Sequence, residues 1–236
     1  KFDNSREHLE AELDTSLQRL GLDHIEMLYV HRRDARIPIE DVTDTLAGFI
    51  KAGKISRFGF SEISPSSLHR ASKIHHVAAV QSEFSLAVRS PELGLVQATS
   101  IVGSALVAFS PVGRGLLTDL PPSVEKVEGI NFLKENPRFQ EPNLSANISI
   151  IDQFRELARR KDTSAAALAI AWLLNRNEHI IPIPGTRSVS HLNELASGAA
   201  LLLSDSTLVE IEEVLPVGWA HGDRYSESQW IGPERY

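Results

Sequence analysis

Apolar positions along this chain follow two alternating rhythms. Leu9, Leu13, Leu17 and Leu20 recur at helical spacing behind Asn4, which with Glu7 three residues on reads as a helix start, and Gly21 closes the segment. Next comes Ile25-Glu26-Met27-Leu28-Tyr29-Val30-His31, a short apolar run of the kind that forms a strand buried on both faces. After Pro38 the helical rhythm returns in Val42, Leu46, Phe49 and Ile50 and stops near Gly53. Ile55 to Ser61 reads as a strand. Ser64-Pro65, an N-cap with proline at the first helical position, opens a helix striped with Leu68, Ala71 and Ile74. Val77 to Ser82 is the next strand, Ser90-Pro91 opens a helix to about Gly103, and Ala105 to Ser110 is a fourth strand.

The rhythm then breaks. Thr118 to Asn147 holds Pro121, Pro122, Pro137 and Pro142 and shows no clear period. A loop this long in a compact domain is usually functional or mobile. Helices resume around Ile151, Phe154 and Leu157 and from Ala165 to Leu174; Ile180 to Ile183 predicts a fifth strand despite Pro182. Short helices follow over His191 to Leu195 and Ser206 to Leu215. The tail, with Trp219, Tyr225, Trp230 and Tyr236, is irregular and aromatic-rich. Its rings either line a pocket or pack the tail down, and amphipathic aromatics suit both.

Strands alternating with helices predict parallel βα units, in an open doubly wound sheet or a (β/α)₈ barrel. No G-x-G-x-x-G turn follows any strand, which removes the main sign of a dinucleotide-binding open sheet. A barrel needs eight strands, so three are expected ahead of Lys1, and the five alone leave two open edges. Composition narrows the function. The chain of 236 residues is 42% hydrophobic and 23% charged, as in a globular protein. It has no cysteine, so disulfides and thiolate metal sites are excluded. A formal charge of -7 speaks against nucleic acid as a partner, and no apolar run is long enough to span a membrane.

In parallel α/β proteins chemistry collects at the carboxyl ends of the strands. Those ends are His31, Ser61-Glu62, Gln81-Ser82, Phe109-Ser110 and Pro184-Gly185. No lysine stands there, which disfavours a Schiff-base aldolase, and one histidine with one carboxylate makes a poor metal site. What remains suits a neutral amide-bearing ring and a polarised carbonyl. His31 alone also reads as a strand-terminal histidine bonded to a neighbour. Two stretches suit phosphate: Ser110-Pro111-Val112-Gly113-Arg114-Gly115, with glycine N–H groups and a guanidinium, and Pro184-Gly185-Thr186-Arg187-Ser188, which opens a helix. Each alone is also an ordinary turn. Arg32, Arg33 and Arg36 either favour an anionic substrate or form a solvated loop. Asp23, His24, His75 and His76 read as solvated turn residues.

The ordered motifs LDHIEMLYVH, GKISRFGFSE, VQSEFSL, VAFSPVGRGLLT, NPRFQ, ALAIAWLL and IPIPGTRS make the chain similar to the aldo-keto reductases, in the long-loop bacterial and fungal subgroup that includes pyridoxal reductases. The resemblance implies a (β/α)₈ TIM barrel, one domain over 1–236 that is incomplete at its N-terminus, with about the last five βα units and a tail. It implies NADPH-dependent reduction of an aldehyde or ketone to an alcohol by a cytoplasmic, monomeric enzyme whose partner is a small-molecule carbonyl substrate. His31 matches the histidine of the family's Asp–Tyr–Lys–His tetrad; the other three are expected upstream. Lys1 is set aside as the lysine, because it directly precedes the first helix and leaves no room for the expected loop. Ser61, Glu62 and Gln81 match residues around the nicotinamide carboxamide, with Glu62 where many members have Asn. Phe109 stands where most stack a Tyr. Ser110, Val112, Gly113 and Arg114 match the pyrophosphate loop. Gly185, Thr186, Arg187, His191 and Glu194 match the region reading the 2′-phosphate and adenine, while Leu195 replaces a common Asn. The other readings are an NADPH-binding, channel-associated subunit with little turnover, and a barrel enzyme that holds a lone phosphate in the same two loops.

Overall fold

The computed structural model describes residues 2–236; Lys1 lies outside the described residues. The helices are α1 Arg6–Leu20, α2 Ile39–Lys51, α3 Pro65–Ser72, α4 Leu95–Val102, α5 Val124–Glu128, α6 Asn131–Lys134, α7 Asn143–Arg160, α8 Ala165–Arg176, α9 Val189–Ser197 and α10 Asp205–Val214. The strands are β1 Ile25–Val30, β2 Ile55–Ser61, β3 Ala79–Glu83, β4 Ala105–Phe109 and β5 Ile180–Ile183. They lie in one sheet in the order β1-β2-β3-β4-β5. A doubly wound sheet reverses its strand order at a switch point, and this sheet has no reversal. Parallel crossovers share one hand, so an unreversed order places successive helices on one face, as in a barrel wall.

Two compact units divide the chain: Lys1–Ser82, Glu92–Val107 and Ile231–Tyr236 form the first, Glu83–Pro91 and Ala108–Trp230 the second. In the first unit β1 pairs β2 and β2 pairs β3, both parallel, with Tyr29 opposite Gly59 and Ser61 opposite Gln81. Helix α2 buries Ile39, Val42, Leu46 and Phe49. Phe58 and Phe60, on the same strand, pack edge to face at 5.9 Å. In the second unit α8 is buried from Ala165 to Leu173, an apolar helix enclosed on nearly every side, and α7 supplies Ile151, Phe154 and Leu157 to the core.

Several boundaries differ from the sequence expectation for identifiable reasons. Ser5, not Asn4, caps α1, its hydroxyl accepting from the His8 N–H. Asn4 is instead buried and ties down the segment after β1, donating to the Arg32 carbonyl and accepting from the Asp34 N–H and the Arg33 guanidinium. Strand β1 is half-buried rather than enclosed, because it lies at the outer end of the strand order. Leu20 and Ile74 are exposed, at the last turn of α1 and beyond α3. The helix expected from Ser90 to Gly103 is broken at Gly94, whose φ of 137° no helix admits. The stretch without a clear period is not structureless. It folds into α5, α6 and short turns around its own small core of Leu116, Val127, Leu133, Phe139 and Leu144, and α7 already begins at Asn143.

Candidate active site

Sequence reading places one group of candidate residues on the first unit. His31 follows β1 directly and is exposed. Desolvation of its imidazole, the larger cause, and the nearby Arg32 guanidinium hold its pKa below the ordinary 6.5, with the Glu62 carboxylate opposing them. The neutral ring is therefore favoured at pH 7, and a neutral imidazole has one N–H to donate and one nitrogen to accept. Arg32 donates to the His31 carbonyl at 2.8 Å and to Ser61 Oγ at 3.2 Å. Ser61 and Glu62 are buried at the end of β2. Glu62 has φ 58°, its N–H donates to the Gln81 carbonyl at 2.8 Å, and its carboxylate accepts from Ser82 Oγ at 3.3 Å. A tail residue completes this corner: the Glu234 carboxylate accepts from both the N–H and the hydroxyl of Ser64, each at 2.8 Å, and its own N–H donates to the Glu62 carbonyl.

The arginine cluster after His31 divides between the interior and solvent. Arg33 is buried, donates to Asn4 and the Ile37 carbonyl, and lies 3.6 Å from Glu234; Arg36 is exposed, as a solvated loop implies, and pairs with Asp34. These charges brace the loop that presents His31.

The second group lies on the second unit, around a cavity of about 620 Å³. Both stretches that sequence reading singled out for phosphate line it, with Ser110, Val112, Arg114 and Gly115 from one and Gly185 and Thr186 from the other. His191, Glu194 and Leu195 of α9 line it too, as do Thr118, Asp119 and Lys126 of the long connection, whose length marks it as functional but in which sequence reading named neither Asp119 nor Lys126. Lys126 was legible only as the third residue after a Ser123 cap, inside a proline-rich stretch that gives no period. Leu195 packs with Ala166 and Ile170, with Val112 against them, so one wall is apolar. Phe109, Gly113 and Arg187 do not line the cavity. Phe109 is half-buried at the end of β4, and Arg187 is exposed on the turn before α9.

The first loop differs chemically from expectation. Ser110 and Arg114 have φ of 50° and 57°, and Gly113 has 58°, so the chain curls on itself. The Gly113 N–H donates to the Ser110 carbonyl and the Gly115 N–H to that of Val112, which satisfies those donors internally. The Arg114 guanidinium is engaged as well. It donates to Glu83 at 2.5 Å and to the Arg224 carbonyl at 2.7 Å, and it lies over the rings of Phe132 and Tyr225 at 4.9 and 5.0 Å. Glu83 also holds Arg224 at 3.3 Å, and Arg224 stacks on Tyr225 and Trp230. The tail aromatics thus pack: Tyr225 closes this clasp, and buried Trp219 donates its indole N–H to the Leu86 carbonyl at 2.8 Å. The loop gives the cavity a shaped wall rather than a guanidinium.

Of four non-glycine residues with positive φ among the described residues, three are Glu62, Ser110 and Arg114. Such backbone states collect where a fold holds functional groups. No metal-binding cluster of His, Cys, Asp or Glu occurs, and no helix is long and apolar enough to cross a membrane, among the described residues.

A parallel α/β chain with an unreversed strand order and its candidate residues at strand carboxyl ends defines five βα units of a (β/α)₈ barrel protein. The sequence model described as "Aldo/keto reductase family" matches residues 1–216, and the chain belongs to that family. It is 37% identical over 225 residues to probable aldo-keto reductase 1 of Glycine max, covering 95% of this chain and 65% of that protein. It is 35% identical over 227 residues to aldo-keto reductase yakc [NADP(+)] of Schizosaccharomyces pombe, covering 95% and 67%. The chain thus spans about two thirds of the length of the curated relatives it matches. A glycerol dehydrogenase structure from Gluconobacter oxydans superposes with a TM-score of 0.79 at 23% identity, over 91% of this chain and 65% of that one. A thermostable aldo-keto reductase solved with the inhibitor epalrestat gives 0.69 at 22%, over 89% and 67%. At those identities the likeness is one of fold.

Proposed function

We propose that this protein binds NADPH and reduces an aldehyde or ketone to an alcohol. The observation that carries the reading is the cavity of the second unit, where parts of two stretches chosen separately for phosphate, Ser110, Val112 and Gly115 of one and Gly185 and Thr186 of the other, meet with Lys126. Its residues fit the adenosine phosphate end of such a nucleotide. The apolar wall of Leu195, Val112 and Ala166 suits a base, and the Glu194 carboxylate suits an amino group or ribose hydroxyls. Gly185, Thr186, Arg187 and His191 stand at the start of α9, where N–H groups and the helix dipole favour an anion. Lys126 adds an ammonium that replaces the committed guanidinium of Arg114. The name of the fission-yeast relative, which carries NADP(+), supports the choice of nucleotide.

On the first unit, Ser61, Glu62 and Gln81 are assigned to the nicotinamide carboxamide. A bound NADPH supplies the hydride. His31, neutral at pH 7, donates one N–H to the carbonyl oxygen and so orients the substrate as charge develops there. The alcohol forms when the hydride reaches the carbonyl carbon and a proton reaches this oxygen.

Two measurements on the full chain test the reading. Fluorescence titration should show saturable NADPH binding, and Arg187→Ala and Lys126→Ala should each weaken NADPH on the order of tenfold while leaving NADH nearly unchanged. Equal losses for both nucleotides defeat the 2′-phosphate assignment. Carbonyl-dependent NADPH oxidation should fall by about 10²–10⁴ in His31→Ala. Binding without any turnover by the unmodified protein would favour a nucleotide-binding subunit, and binding of inorganic phosphate without NADPH would favour a phosphorylated substrate.

A further inference from the structure

Of the arginines that follow His31, two are committed to carboxylates and one is not. Arg33 lies 3.6 Å from Glu234, and Arg36 pairs with Asp34. Arg32 is half-buried, and among the described residues no carboxylate stands within ion-pair distance of it. Its anchors are neutral. Nη1 donates to the His31 carbonyl at 2.8 Å and to Ser61 Oγ at 3.2 Å, which fixes the guanidinium at the carboxyl ends of β1 and β2. The start of the side chain is held as well. A Cβ on Gly232 would stand 2.9 Å from Arg32 Cβ and 2.7 Å from Phe2 Cε2, so the tail backbone lies close against that stem. The other edge of the fork, Nε with Nη2, meets no acceptor among the described residues and is not enclosed.

That edge of a guanidinium presents two parallel N–H groups at the spacing of the two oxygens of a carboxylate. A cation held by neutral anchors keeps its charge for an incoming group, and a side chain already fixed loses little freedom on binding it. Glu62, the carboxylate that acts on the same imidazole, is 2% exposed and accepts from Ser82 Oγ. We infer that Arg32 determines substrate class: through Nε and Nη2 it binds a carboxylate carried by the carbonyl compound that His31 orients. The inference rests on the proposed carbonyl reduction and adds to it the kind of carbonyl compound reduced. It also divides the arginine run by task, with Arg33 and Arg36 bracing the loop and Arg32 left for the ligand.

The test compares 4-carboxybenzaldehyde with its methyl ester, which has the same ring and aldehyde but no charge. In NADPH oxidation by the full chain the acid should be favoured in kcat/KM, mainly through KM. Arg32→Met should lower the acid-to-ester ratio on the order of tenfold, the worth of a charge-assisted hydrogen bond at a half-exposed site, and Arg32→Lys should restore part of it. A merely structural Arg32 would lower both substrates alike and leave the ratio where it was. A second readout needs no turnover. At about pH 8, where the His31 ring is neutral, benzoate should shift the imidazole resonances saturably in the unmodified protein and not in Arg32→Met. The inference is overturned if the unmodified protein does not favour the acid, if Arg32→Met keeps the ratio, or if the benzoate shifts survive that substitution. Reduction of the ester alone overturns only the inference. If the folded, unmodified protein reduces neither aldehyde, the carbonyl-reduction reading fails and the inference with it.

Discussion

Replacing Glu83 by Gln tests the clasp between strand end, long connection and tail. The Glu83 carboxylate is 1% exposed and faces guanidinium groups 10% and 9% exposed, those of Arg114 at 2.5 Å and Arg224 at 3.3 Å. A third guanidinium, Arg138, is buried nearby with its Nε unpartnered, and burial lowers its pKa while Glu83 opposes the shift. Glutamine keeps the shape and one acceptor but removes the carboxylate charge that Arg114 and Arg224 share. Breaking a buried pair by deleting one partner costs about 3–5 kcal/mol, because the remaining charges stay desolvated. For a chain of this size that lowers Tm by roughly 6–20 °C. Urea and thermal unfolding of the Glu83→Gln protein measure it, and the loss should hardly change between low and high salt, since buried pairs are poorly screened. Adding Arg114→Met and Arg224→Met should recover part of the loss. A destabilisation below about 1 kcal/mol, or one erased by salt, would mean that the cluster is solvated and that the argument about desolvated charge is mistaken.

Other expectations follow from the same geometry. Imidazole resonances of His31 should titrate with a midpoint below 6.5, and Arg32→Gln should move that midpoint up while Glu62→Gln moves it down; a wild-type midpoint at or above 6.5 contradicts the assignment. Because folding favours the neutral ring, the His31 contribution to stability is intact above about 6.5 and declines as the pH falls through its folded-state value. Gly222→Ala should cost about 2 kcal/mol or more in urea unfolding, since φ is 79° and a Cβ would stand 2.7 Å from the Pro137 carbonyl carbon and oxygen; a loss under 1 kcal/mol would refute that close approach. Glu234→Ala should remove about 1–3 kcal/mol and speed hydrogen exchange of the Ser64 to Leu68 amides, and unchanged exchange would show that the tail does not brace this corner.

Local chemistry made part of this structure readable in the sequence. Strand β2 spans Ile55–Ser61 as its apolar run and the Gly53 before it indicate, Ser64 caps α3 with Pro65 behind it, and β5 accommodates Pro182 at an outer position of the strand order. What failed was decided by long-range partners. Asn4 looks like a cap, but residues some thirty positions on claim its side chain, and Ser5 takes the cap. Arg114 looks like a phosphate ligand until Glu83 and Arg224 occupy it. Lys126 and Asp119 line the cavity from a segment with no period, whose helices hold together through a small core that no single stretch announces. The placement of Tyr29 opposite Gly59 depends on strand register, which an apolar run does not specify.

The corner around Ser64 also has a consequence in time. The carboxylate that satisfies its N–H and hydroxyl is 170 residues away along the chain. A ribosome adding about 5–20 residues per second reaches Glu234 roughly 10–30 s after Ser64 has been made. Throughout that interval the nascent start of α3 must rely on water or a substitute, so the corner that carries Ser61 and Glu62 cannot set before Glu234 has been made.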